Sequence, residues 1–231
     1  MRLRAALLAI AAGIGGASGA AAQSFMSGIG PVHDFNIPLQ SVAERKFTTI
    51  VRQRFDFSCG SAALATLLRY HYGQNVGESD VFSGMWAKGD RAAIRKVGFS
   101  LLDMKRYLEA KNLRADGFKV SLDQIADTGI PGIALITVKD YRHFVVVKGV
   151  SKYEVLVGDP STGLHALPRD EFERVWNGVY FVLNSEQEFG RKRFNAGAQW
   201  AAFSRAPIGG RFLDPLSIQA LSLTAPFYRD F

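Results

Sequence analysis

The chain has 231 residues, 48% of them apolar and 21% charged. That is room for one globular domain with appendages, and the composition is too ordinary for a disordered chain. Its formal charge of +7 is spread over scattered basic residues, so no nucleic-acid partner is expected, and its single cysteine excludes an internal disulfide and a cysteine-built zinc site.

Residues 1–22 read as a secretory signal. Arg2 and Arg4 give the positive start, Ala5 to Ile14 a short apolar run, and Ala20-Ala21-Ala22 the small-residue cleavage pattern. The mature chain is then expected to begin at Gln23, outside the cytoplasm. No later stretch approaches the roughly 18 uninterrupted apolar residues of a membrane-spanning helix. An exported chain with one cysteine carries a free thiol into an oxidising compartment, where it is a liability unless buried or used.

Residues 23–46, with Gly28, Gly30, Pro31 and Pro38, read as a loose lead-in. Phe47 to Val51 is β-branched and predicts a short strand. Ala62, Ala65, Leu68 and Tyr72 recur at helical spacing, which predicts a helix over Ser61–Tyr72, stopped by Gly73, with Cys59 at or just before its first turn. Ser79 to Trp86 predicts a short helix capped by Ser79. Ser100 to Lys111 predicts another, with Ser100 as N-cap and Asp103 three residues on. A brief strand at Phe118–Val120 and a helical turn at Leu122–Ala126 follow. Four apolar runs come next: Gly132–Val138, Phe144–Val150, Glu154–Val157 and Gly178–Leu183. They are separated by turn residues, which predicts an antiparallel sheet and an α+β class overall. The domain is expected over residues 47–185, with an irregular basic tail over 186–231.

Cys59 stands where a loop becomes a helix, and the positive helix end favours thiolate over thiol. Such a nucleophile needs a base or a cationic partner. His143 meets that need from the mouth of a predicted strand. Asp159 closes the next strand; if the two strands pair as a hairpin, it reaches the same end of the sheet and can fix the imidazole tautomer. Asp140, three residues before His143, is the rival orienter. Gln53, six residues before Cys59, is placed to donate its amide to an oxyanion together with the Cys59 backbone N–H. His71 lies more than three turns along the helix from Cys59, out of reach, while His33 and His165 show no partner. No cluster of ligands points to a metal, no GxxxxGK[ST] loop is present, and no cofactor is expected.

The stretch from Gln53 through Cys59-Gly60 into an Ala/Leu helix ending at Tyr70-His71-Tyr72-Gly73 resembles the nucleophile motif of the bacteriocin-processing, or double-glycine leader, peptidases. His143-Phe144-Val145-Val146 with Asp159-Pro160 resembles that family's second motif, and Glu171-Phe172 leading to Trp176-Asn177-Gly178 its third. Together they cover residues 47 to 183. The resemblance implies a papain-like fold and a cysteine peptidase acting on a polypeptide. It also implies Cys59 as nucleophile, His143 as base and acid, Asp159 as orienter and Gln53 as oxyanion donor. Many family members are domains of export transporters, whereas this chain shows a signal peptide and no later spans. It is therefore more similar to stand-alone peptidases encoded with functional-amyloid export systems. The expectation is a periplasmic peptidase with a polypeptide substrate and an outer-membrane or secretion-system partner. Two rival readings stay open: a non-catalytic substrate-binding or chaperone-like module, and a cell-wall amidase of related design.

Overall fold

A computed structural model describes residues 41–201 apart from Asp56 and Asp140. The expected signal peptide, most of the lead-in, the tail beyond residue 201 and the rival orienter Asp140 therefore lie outside the described residues.

The described chain opens with a short helix, α1 (Val42–Arg45), and then turns where a strand was predicted. Phe47, Thr48 and Ile50 donate backbone bonds to Glu44, Arg45 and Phe47, so residues 47–50 fold as consecutive turns. The β-branched run is explained by packing: Ile50 joins Leu156 and Leu164 in a small cluster, with Phe47 against it. Burial of single side chains, not a ladder, fixes this segment.

Four helices follow: α2 (Cys59–Tyr72), α3 (Glu78–Lys88), α4 (Arg91–Val97) and α5 (Leu101–Glu109). The α2 helix ends as predicted, on Gly73 in the left-handed conformation at φ 68. α5 carries the predicted capping box between Ser100 and Asp103. In α3 the cap is Gly77 with Asp80 rather than Ser79, because Glu78 already belongs to the helix. α4, capped by Asp90, was not predicted; it buries only Ile94, so its seven residues show little periodicity.

The strands are β1 (Ala115–Lys119), β2 (Gly132–Val138), β3 (Tyr141–Val150), β4 (Glu154–Asp159), β5 (Gly163–Pro168) and β6 (Trp176–Leu183). Among the described residues they form one antiparallel sheet in the order β1-β6-β2-β3-β4-β5. α6 (Leu122–Thr128) precedes β2 and α7 (Arg169–Val175) precedes β6; α8 (Gln187–Arg191) and α9 (Gly197–Ala201) follow the last strand. Both faces of the sheet are covered. Phe144 and Val146 of β3 pack with Ile133, Phe181 and residues of α2, α3 and α5. Val145 and Val147 pack with Ala134, Val182, Phe172 of α7 and Leu122 and Ile125 of α6. Burial on both faces is why β3 reads as a continuous apolar run without alternation.

The family-like sequence Trp176-Asn177-Gly178 serves this frame. Trp176 Nε1 donates to the Val179 carbonyl at 2.8 Å, Asn177 Oδ1 accepts from the Val179 N–H at 3.0 Å, and Gly178 has φ 80. The three residues turn α7 sharply into β6.

Candidate active site

The loop before α2 is pinned at nearly every residue. The Val51 N–H donates to Thr66 Oγ1 at 2.9 Å, the Gln53 N–H to the Pro160 carbonyl at 3.0 Å, and the Arg54 N–H to Glu78 Oε1 at 3.0 Å. Phe55 and Ser58 are bonded to each other: the Ser58 N–H donates to the Phe55 carbonyl, and Ser58 Oγ accepts from the Phe55 N–H. Cys59 is then the first residue of α2, buried at 6% exposure. Gly60 lets the helix start approach α5, since a Cβ there would stand 3.0 Å from Phe99 Cβ and 3.1 Å from Met104 Cε.

The predicted hairpin forms, with Val146 opposite Gly158 and Val147 opposite Val157. It brings His143 Nε2 to 2.8 Å from Asp159 Oδ1, both residues buried. The other ring nitrogen, Nδ1, is buried without a hydrogen-bond partner of ordinary geometry. Cys59 is close enough to the imidazole to favour its protonated form, and with Nε2 engaged by Asp159 the nitrogen available to it is Nδ1. Burial alone would push the His143 pKa down; the bonds and charges of Asp159 and Cys59 outweigh it and raise the pKa to about 9. The net effect favours the protonated imidazole.

Asp159 has a second task. Oδ1 also accepts from the Ser161 N–H and Oγ, both at 2.6 Å, and from the Thr162 N–H at 3.2 Å. This is an Asx turn carrying the chain from β4 into β5. Burial would raise this carboxyl, but His143 and Ser161 hold it well below the usual carboxylate range. The turn-former and the histidine partner are one side chain.

Gln53 enters through its backbone. Its N–H bond to Pro160 ties the cysteine loop to the residue after Asp159. Its side-chain Oε1 is buried and unpartnered, a state a polar group seldom keeps without a use. His71 is core: it is fully buried, both ring nitrogens lack partners, and burial with the charges of Lys148 and Arg193 holds its pKa well below the usual histidine value. His165 lies on β5 with Nδ1 3.1 Å from the Gly163 carbonyl, and His33 is outside the described residues. No group of three or more potential metal ligands occurs among the described residues. No described helix is long and apolar enough to cross a membrane.

A cleft of about 710 Å³ opens on Cys59. Phe57, Phe99, Leu101, Leu135 and Phe144 line it, with Arg95, Lys96 and Arg142 around them. Such a cleft takes apolar side chains, with cations available to polar or acidic neighbours. A separate cavity of about 370 Å³ lies between Phe118, Ile125 and Tyr180 and contains none of the candidate residues.

Sequence reasoning missed Glu78 and Ser161. Ser161 was legible, since Asp-Pro-Ser is an Asx-turn signal. Glu78 was not, because nothing local marks a carboxylate at a helix start as buried.

Two relatives from curated proteins are each called "Probable functional amyloid protease FapD". The chain is 44% identical to that of Pseudomonas fluorescens over 148 residues, covering 64% of this chain and 66% of the relative. It is 43% identical to that of Pseudomonas aeruginosa over 145 residues, covering 63% and 64%. The match thus spans slightly less than two thirds of either relative. Among solved structures, the peptidase domain of Streptococcus ComA, described as a bi-functional ABC transporter involved in a quorum sensing pathway, aligns at a TM-score of 0.51 and 23% identity. That alignment covers 58% of this chain and 96% of that domain, and it bears out the papain-like α+β fold. The profile of the Peptidase C39 family matches residues 48–188, and the chain belongs to that family.

Proposed function

We propose that the chain is an exported, periplasmic cysteine peptidase that cleaves a polypeptide through a thioester. The observation that carries this reading is the linked set Cys59–His143–Asp159, with Asp159 on Nε2 and the thiol left to Nδ1. Cys59 attacks the scissile carbonyl as its thiolate, forming the C–S bond. The oxyanion is held by the Gln53 amide and the Cys59 backbone N–H. His143 gives its proton to the leaving amine as the C–N bond breaks. Water then attacks the thioester, His143 takes the proton, and the acid product leaves with the thiol regenerated. Asp159 keeps the ring oriented throughout and stabilises the imidazolium whenever it carries the proton.

The substrate class rests on the names of the relatives and on the cleft. Both Pseudomonas relatives are named as amyloid proteases, and an apolar cleft with a cationic surround suits an extended segment of an aggregation-prone polypeptide. Export rests on the signal pattern of residues 1–22. A secretion-system partner follows from the same reading.

The test is cleavage of an unfolded amyloid-type polypeptide by purified protein, followed by mass spectrometry of the products. Wild type is expected to give discrete fragments. Cys59→Ala is expected to give none while keeping its circular-dichroism spectrum. Fragments from folded Cys59→Ala at the wild-type rate sink the reading.

A further inference from the structure

Glu78 is the first residue of α3, buried at 5% exposure, and lies 20 residues from the turn it touches. Its Oε1 accepts from the Arg54 N–H at 3.0 Å and from Ser58 Oγ at 2.5 Å. Its Oε2 is buried without a hydrogen bond; the nearest cation, Arg54 Nε, stands at 3.8 Å on a side chain that is 73% exposed. The ion pair to the exposed Arg54 is weak, so the carboxyl is tied to the fold chiefly by its two bonds to the turn. The apolar contact between the same two elements exists independently: Phe55 and Phe57 pack on Phe82 of α3, both at 5.9 Å between ring centroids. Docking the turn on α3 does not require the acid.

Ser58 shows what the acid adds. It is the N-cap residue of α2, yet its side chain makes no cap hydrogen bond. A serine in that position ordinarily accepts from the second or third helical N–H. Here the hydroxyl is engaged by Glu78 and by the Phe55 backbone. The first-turn N–H groups beside Cys59 are left without a side-chain cap, free to face negative charge that develops at sulfur or oxygen.

We propose that Glu78 is a positioning residue: from a separate helix it clamps the Arg54 backbone and the Ser58 hydroxyl, holding Gln53 and Cys59 in register and keeping the helix end open at the thiol. The rate consequence rests on the peptidase reading above; the consequence for thiol reactivity does not.

Glu78→Ala, Glu78→Gln and wild type separate this role from mere folding. In Glu78→Ala the Arg54 N–H and the Ser58 hydroxyl lose their shared acceptor, and the turn that presents Cys59 loosens. The pH midpoint for alkylation of the Cys59–His143 pair by iodoacetamide is expected to rise by about half a unit. Polypeptide cleavage is expected to lose roughly thirtyfold or more in kcat with KM within about twofold, as a displaced nucleophile requires. Glu78→Gln keeps a carbonyl that accepts both bonds, and is expected to return the midpoint and most of the rate. Should Glu78→Ala not fold, Glu78→Asp, whose carboxyl is drawn back by one methylene, is expected to show the same shift. A folded Ala or Asp variant with the wild-type midpoint and kcat overturns the proposal. So does a loss of rate that tracks the folded fraction and is not rescued by Gln. If wild type cleaves no polypeptide, the peptidase reading fails, and the alkylation midpoints alone decide on Glu78.

Discussion

The Gln53 N–H donates to the Pro160 carbonyl at 3.0 Å. One backbone bond thus joins the loop that leads into the cysteine to the turn that leaves the aspartate. The two halves of the site come from segments 107 positions apart in sequence, and the bond that staples them is made by backbone atoms alone.

A consequence is that Gln53→Ala should remove chemistry without removing structure. The staple is backbone and survives the substitution. The kcat for polypeptide cleavage is expected to fall by roughly 10²–10³, the usual cost of one oxyanion donor. The unfolding midpoint should change little. Steady-state kinetics beside a thermal melt checks both.

Asp159 holds a histidine and a turn with one oxygen, and two substitutions part those tasks. Asn keeps a carbonyl for Nε2–H and for the Ser161 and Thr162 N–H groups but loses the charge. Asp159→Asn should fold normally and retain activity within about tenfold, with the alkaline limb of its pH–rate profile moved down by about one unit. Asp159→Ala loses the turn as well, and both its rate and its melting temperature should fall further.

His143 supplies a signed dependence on pH. Its folded pKa, about 9, lies above the unfolded value near 6.5. The stability it contributes is full below about 6.5 and is lost as pH rises through about 9. Asp159, with its pKa depressed, contributes stability that is present above about 4 and is lost as pH falls through its lower folded value. Between pH 7 and 10 the melting temperature of wild type should therefore drop relative to that of His143→Ala. Cleavage should decline over the same range, as the proton needed by the leaving amine is lost.

Lys148 runs the opposite way. It is fully buried in β3, its Nζ donates to the Thr49 carbonyl at 3.2 Å, and burial lowers its pKa to about 7. The unfolded chain then binds more protons between about pH 7 and 10.5, so this residue makes the fold more stable as pH rises. Lys148→Met removes the desolvated amine and should raise the melting temperature by about 5 °C or more at pH 6, with the gain shrinking towards pH 10. Melts of both proteins across that range test the sign.

The site was more legible than the frame around it. Cys59 at a helix start and His143 and Asp159 on one hairpin follow from local signals: an Ala/Leu periodicity ended by Gly73, and two apolar runs separated by a turn. The expected hairpin forms, and it brings the two side chains together at one end of the sheet. Phe47–Val51 failed as a strand because its apolar side chains plug a gap beside β4 and β5, which is a tertiary fact. β5 was missed because Gly163 and Pro168 punctuate a run whose pairing to β4 supplies what its own propensity lacks. Glu78 was invisible for the same reason: its partners are 20 and 24 residues away.

The position of β6 in the sheet has a temporal consequence. The last strand among the described residues is not at an edge; it is inserted between β1 and β2. A polypeptide emerging N-terminus first can form the local β3–β4 hairpin early, because that pairing closes a short loop. It cannot complete the sheet, or the apolar faces that seat α2 beside it, until residues 176–183 are delivered. Nascent chain lacking those eight residues holds nucleophile, imidazole and carboxylate in hand but no rigid frame to aim them. Completion of the frame around Cys59, His143 and Asp159 therefore waits on residues 176–183.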